Sequence, residues 1–225
     1  MIPPFKGESR GLPYGLHHQL THVVNYNNMI ETPYTIVNLR QNTPAWLEWR
    51  SQGIGASDAP AIMGENPWKS ADYLFQEKCN CIDYGPNPAM ARGNALEPQA
   101  RRCYERRFGI RVPPACLQST KHEWMRASVD GLALDGSTVI EIKCGESAYR
   151  KASTTSEVPD YYFGQLQHIL AVTGLHEIDF WCYLPGYPEV HITVGRDEGY
   201  IKRMLETEHA FWQKVLQHRN GHSHP

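Results

Sequence analysis

The sequence predicts an α/β (α+β) domain with a central mixed β-sheet flanked by helices. Three observations carry this reading. Helical patterns with start and stop signals fill the stretch from Thr43 to Gly109. From Ile110 the pattern becomes that of strands, with a two-residue hairpin signal at Asp135-Gly136. A helix, two strands and a closing helix complete the chain, and that order layers helices onto a sheet.

At 225 residues the chain suits one large domain or two small ones, enough to bury a real core. With 41% apolar and 20% charged residues it has the make-up of an ordinary globular protein rather than a disordered one. No apolar run approaches a membrane span. The opening "MIPPFKGESRGLPYGLHH" has no apolar signal core, so secretion is not expected. Cys79, Cys81, Cys103, Cys116, Cys144 and Cys182 are then expected as reduced thiols. The net charge of −2 is not that of a protein that coats nucleic acid. A nucleic-acid partner would require locally concentrated positive charge.

Residues 1–38 are rich in Gly, Pro, Asn and His and read as an irregular arm of unassigned role, with one short strand near Thr35–Asn38. Residues 39–225 read as a single domain. Thr43 and Pro44 give a helix start in "NTPAWLEWR". Ser57 is expected to cap "SDAPAIM", which Gly64 ends, and Ser70 to open "SADYLFQEKC". "NPAMARGNALEPQARRCYERRFG" reads as a long helical stretch with Pro88 near its start and Gly109 just past its end, and a kink or break is expected at Pro98. "MRASVDGLAL" and "STVIEIKC" form a hairpin. A helix over about 159–173 ends at Gly174; strands "EIDFWCYL" and "EVHITV" follow, then a helix from about Asp197 to His218.

The hairpin carries the chemistry. Glu141 and Lys143 are two apart and share a strand face, while Ile140 and Ile142 share the other. With the turn at Asp135-Gly136, Asp130 falls opposite Glu141. A salt-bridged pair on a solvated face is the plain alternative. Two facing carboxylates, however, repel unless something neutralises them. Lys143 supplies part of that. A hard divalent cation, Mg²⁺ or Mn²⁺, suits two carboxylates and a carbonyl, and can activate water against a phosphoryl group. Asp-x(n)-Glu-x-Lys on a hairpin resembles the core signature of the PD-(D/E)XK restriction-endonuclease-like nuclease fold.

Four blocks in order extend the likeness: "WLEWRSQGIGASDAPAIMG", "RGNALEPQARRCYE", "SVDGLALDGSTVIEIKC" and "YYFGQLQHILAVTG". Together they resemble the lambda exonuclease (YqaJ-like) family of viral recombinases. The resemblance implies that Asp130, Glu141 and the Ile142 carbonyl bind metal and that Lys143 handles the attacking water. Glu97 would add a carboxylate, directly or through water, and Gln165 would place the water or the scissile strand. Arg50 and Ser57 would hold the substrate's 5′-phosphate, at a helix start suited to anions. It further implies a Mg²⁺-dependent 5′-to-3′ exonuclease on double-stranded DNA ends, with Mn²⁺ as a substitute. The products would be 3′ overhangs for a phage-type single-strand annealing protein. The enzyme would be a homotrimeric ring in the cytoplasm of a bacterial host. A ring reconciles near-neutral charge with DNA binding, because the cations need only line the channel. Val129, Gly145 and His168 depart from the family pattern without removing a charged position.

Two other readings stay open: an endonuclease of the same fold, and a non-catalytic DNA-end-binding recombination scaffold. Cys79-x-Cys81 lacks a second ligand pair for zinc. No cysteine follows Cys182 to hold an iron–sulfur cluster. "HRNGHSHP" reads as a solvated tail and His122 as structural. Arg101, Arg102, Arg106 and Arg107 form a basic stripe that faces either solvent or DNA.

Overall fold

The strand that carries Glu141 and Lys143 lies between two helices of different character, and the fold is best described outward from it. The structure is a computed structural model, and residues 32–80 and 88–221 are described. In chain order the elements are β1 (Tyr34–Val37), α1 (Pro44–Ser51), β2 (Ile54–Gly55), a 3₁₀ turn (Ala56–Asp58), α2 (Ala59–Ile62), α3 (Ala71–Asn80) and α4 (Pro88–Phe108). Then follow β3 (Ala115–Ser119), β4 (Met125–Val129), β5 (Gly131–Leu132), β6 (Val139–Lys143), α5 (Glu146–Thr155), α6 (Asp160–Thr173), β7 (Glu177–Cys182), β8 (Val190–Gly195) and α7 (Glu198–Gly221).

The expected mixed sheet is present as two four-stranded pieces, ordered β1-β3-β4-β2 and β5-β6-β7-β8. Each contains one parallel pair, β2 with β4 and β6 with β7. "MRASVDGLAL", expected as one strand, is two: β4 ends in one piece and β5 begins in the other, with Asp130 the single residue between them. Gly131 permits the crossing. A Cβ there would lie 2.7 Å from Ile140 and 2.8 Å from the Val112 carbonyl.

Alternation along β6 sorts its side chains as the period requires. Val139 joins the large cluster built on α6, with Leu166, Ile169 and Leu170 wholly buried. Each such side chain contributes about 1.5–3 kcal/mol by leaving water. Ile140 and Ile142 pack on the opposite face with Ala100 and Tyr104 of α4 and Trp181 of β7. A third cluster joins α3 and α7 through Leu74, Phe211, Trp212 and Val215. His168 ties α6 to its neighbours through Glu208 Oε1 at 2.8 Å and the Arg126 carbonyl at 3.0 Å.

Several local expectations are corrected. Helix α4 continues through Pro98 without a break. The proline forfeits only its own N–H, and the Glu97–Arg101 ion pair spans it. Ser57 is not a cap: it lies within the 3₁₀ turn, and the Asp58 carboxylate takes the Gly55 N–H at 3.0 Å instead. The short strand is Tyr34–Val37, antiparallel to β3, so the end of the expected arm is part of the sheet. Residues 1–31 and Cys81 lie outside the described residues. His218 is no tail residue; it sits in α7 with its ring 5.5 Å from Phe75. The last four residues are not described. Among the described residues no helix is long and apolar enough to cross a membrane.

Candidate active site

The sheet junction places the acids. Asp130 sits where the chain passes from β4 to β5, and its Oδ2 accepts the Ile142 N–H at 2.7 Å. The pairs Gly131–Ile140 and Leu132–Val139 hold this register, so Asp130 falls opposite Glu141 as the turn chemistry predicts. Glu141 is 2% exposed. Its Oε1 accepts from Lys143 Nζ at 2.6 Å and from Gln165 Nε2 at 2.7 Å. Lys143 Nζ also donates to Gln165 Oε1 at 3.3 Å and lies 4.5 Å from the centre of the Tyr162 ring. Helix α6 brings both Gln165 and Tyr162 to this face. Gln167, two residues on, is a structural clamp that binds the Gly195 carbonyl and the Asp197 N–H, each at 2.9 Å.

Helix α4 supplies the third acid. Glu97 pairs with Arg101 one turn later, and Arg101 Nε donates to the Asp130 carbonyl at 2.6 Å. Arg101, read above as part of a basic stripe, is thus turned into the site. The signal was present in its i,i+4 spacing from Glu97. Arg102, Arg106 and Arg107 remain exposed, with Arg107 set 5.8 Å from the rings of both Phe108 and Trp181.

The electrostatics follow from crowding. Burial, then the charges of Glu141 and Glu97, push the Asp130 carboxyl well above the usual carboxylate range. Burial also raises Glu97, against the pull of Arg101 and with a further push from Glu141. The Cys144 thiol is pushed up to about 12 by burial and by the same acids, Asp130 and Glu97. Lys143 shows the converse. Burial disfavours its charge, but Glu141, Tyr162 and Asp130 more than offset that, so its ammonium is held firmly protonated.

The donor set fits a hard divalent cation. Glu141 Oε2 is buried and has no hydrogen-bond partner, a costly state for a carboxylate oxygen. Asp130, Glu141 and Glu97 repel one another here, an excess of like charge that a cation would neutralise. Among the described residues no three His, Cys, Asp or Glu side chains converge on one point. The protein donors would then be the carboxylates of Asp130 and Glu141 with the Ile142 carbonyl. That suits Mg²⁺, which keeps several water ligands and uses one or two carboxylates.

Arg50 and Ser57 form a second group. Arg50 Nη2 donates to Ser57 Oγ at 2.5 Å and to Asp58 Oδ1 at 3.1 Å, and its guanidinium lies 5.4 Å from the Trp46 ring. Asp58 is anchored in turn by Lys78 Nζ at 2.8 Å. Burial would raise the Asp58 carboxyl, but Lys78 and Arg50 hold it well below the usual range. Ser57 is exposed, so its hydroxyl is open to a ligand. A cavity of about 600 Å³ borders Arg50, walled also by Lys69, Lys78 and Arg219. Helix α1 links this group to the acid site, because Trp46 Nε1 donates to Ser128 Oγ at 2.8 Å, two residues before Asp130.

Known proteins share this fold. The solved alkaline exonuclease LHK-Exo from Laribacter hongkongensis superposes with a TM-score of 0.70, 26% identity and coverage of 79% of this chain and 95% of that one. Its complex with dAMP superposes at 0.71 with the same identity and coverage. A phage-related exonuclease from Haemophilus somnus 129PT shares the fold at a TM-score of 0.54 and 14% identity, over 73% of this chain and 94% of that one. The fold is the mixed α/β one of PD-(D/E)XK nucleases. In sequence, the uncharacterized protein YqaJ of Bacillus subtilis is 29% identical over 186 residues, 80% of this chain. The uncharacterized protein R354 of Acanthamoeba polyphaga mimivirus is 25% identical over 177 residues, 71% of this chain. The chain spans 58% and 32% of the lengths of these two relatives. The model of the YqaJ-like viral recombinase domain matches residues 45–176, a span that opens beside the Arg50 group and closes after α6. With both residue groups inside a match that covers more than half its length, the chain belongs to the YqaJ-like viral recombinase family.

Proposed function

We propose that this chain is a Mg²⁺-dependent exonuclease that degrades double-stranded DNA from 5′ ends and leaves 3′ overhangs. One observation carries the reading: Glu141, Lys143 and Gln165 form a closed hydrogen-bonded set beside Asp130 and Glu97, with one Glu141 oxygen left bare. A fold maintained without catalysis gains nothing from burying such a set. The likeness to an alkaline exonuclease, solved also with dAMP, supports DNA as the substrate.

Asp130, Glu141 and the Ile142 carbonyl would hold the cation. When bound, it lowers the pKa of coordinated water and offsets charge on the scissile phosphate. Lys143, held protonated between Glu141 and Gln165, orients the attacking water and stabilises the negative charge that develops on the phosphate oxygens. Gln165 fixes Glu141 Oε1, while Oε2 has no protein donor and is left for the cation. Arg101 keeps Glu97 beside Asp130 and its charge balanced. Arg50 and Ser57 grip the terminal 5′-phosphate, with the Arg50 fork matched to phosphate geometry. That grip sets the polarity. The remainder of the proposal is a homotrimeric ring around DNA and a single-strand annealing partner, in the cytoplasm of a bacterial host.

The test uses linear duplex labelled at either end, with and without a 5′-phosphate. Loss of 5′ nucleotides that requires Mg²⁺, stops in EDTA and is favoured by the phosphate is expected. Internal cuts, or digestion of a closed circular duplex, would replace the exonuclease with an endonuclease. Binding without cleavage under any divalent metal would leave only a scaffold.

A further inference from the structure

The aromatic surface beside Lys143 does not end at Tyr162. The Tyr161 ring lies 4.6 Å from that of Tyr162, and the Trp68 ring lies 4.8 Å from Tyr161, edge to face at 77°. Trp68 is 71% exposed and belongs to none of the core clusters. A tryptophan so open is held there at a cost in hydration, and its turn is built to hold it. Asn66 Oδ1 accepts the N–H of both Trp68 (2.8 Å) and Lys69 (3.0 Å). The next residue, Lys69, lines the cavity that Arg50 borders. A row of rings thus leads from Lys143 to the turn beside the Arg50 cavity.

We propose that Trp68 and Tyr161 form a stacking platform for unpaired bases of the DNA end, on the strand whose phosphates pass Lys143. The proposal rests on the nuclease reading above. A fully paired duplex hides its base faces, whereas a frayed or tailed end offers them. Every base has a π-face, so such a platform acts without regard to sequence, as an end-resecting enzyme requires. Its continuity with Lys143, ring by ring, favours nucleic acid over a second copy of the chain as the occupant.

The experiment measures binding by fluorescence anisotropy in EDTA, where no strand is cut. The probes are a duplex with a short unpaired 5′ tail and the same duplex fully paired. The wild type should prefer the tailed end. Trp68→Ala should weaken binding to it by about tenfold while changing the paired duplex less than about twofold, and Trp68→Phe should keep most of the preference. Equal effects on both DNAs, or none, would overturn the platform. So would a change of oligomeric state in Trp68→Ala by gel filtration, which would mark this face as a contact between copies. Cleavage of the paired duplex by the wild type in Mg²⁺ is read separately. A wild type that cleaves while Trp68→Ala keeps its preference rejects the platform alone. A wild type that never cleaves rejects the nuclease reading instead.

Discussion

Replacing Asp58 by Asn should be among the most damaging single changes in the chain. The Asp58 and Lys78 side chains are 5% and 7% exposed and pair at 2.8 Å. Asp58 also receives Arg50 and the Gly55 N–H, and Lys78 donates to the Gly53 carbonyl at 2.8 Å. The two partners differ in what burial does to them. Asp58 is held well below its usual range by Lys78 and Arg50, yet Lys78 is itself lowered, because burial costs its charge more than Asp58 returns. The pair is therefore worth little against an apolar substitute, but breaking it strands a buried ammonium. That costs about 3–5 kcal/mol. For a domain of this size the melting temperature should fall by roughly 10 °C. Urea unfolding at pH 7 measures the loss, and Asp58→Asn/Lys78→Met should recover most of it. The depressed Asp58 carboxyl contributes stability in full above about pH 4, the unfolded value. That contribution fades as pH falls through the lower folded value. The gap between wild type and variant should accordingly narrow in acid. A loss below about 1 kcal/mol at pH 7, or a gap that widens in acid, would refute this reasoning.

Two further outcomes are expected. Gln165→Ala removes one bond to Glu141 and one from Lys143 but leaves the direct Lys143–Glu141 pair, so kcat should fall about 10- to 100-fold with KM for DNA nearly unchanged, as initial rates on end-labelled duplex will show. Mg²⁺ should raise the melting temperature of the wild type, by the linkage of a ligand that binds only the folded chain, and Glu141→Gln should abolish that rise in differential scanning fluorimetry.

The parts of the site within one local element were legible in the sequence. Asp135-Gly136 fixed the hairpin register, and the register set Asp130 opposite Glu141 with Lys143 on the same face. Thr43 with Pro44, and Ser70, marked helix starts correctly, because capping chemistry is local. Contacts between elements were less legible. Arg101 belongs to the acid site through a bond to the Asp130 carbonyl, 29 residues away, and composition alone makes it one cation among four on a helix. Ser57 resembled a cap, but Lys78, from another helix, made Asp58 the stronger local acceptor. The split of the sheet at Asp130 depends on the space Gly131 leaves beside Ile140, which no strand pattern encodes. Pro98 signalled a break that an i,i+4 ion pair bridges.

The most direct test of the central claim compares the wild type with Lys143→Ala on one 5′-phosphorylated duplex, with binding read in EDTA and cleavage in Mg²⁺. Lys143 lies between Glu141 and Gln165 rather than in the Arg50 group, so binding should be retained within a few-fold. Cleavage should fall by about 10²–10⁴. A variant that binds and digests DNA like the wild type would show that Asp130, Glu141 and Lys143 are not a hydrolytic centre.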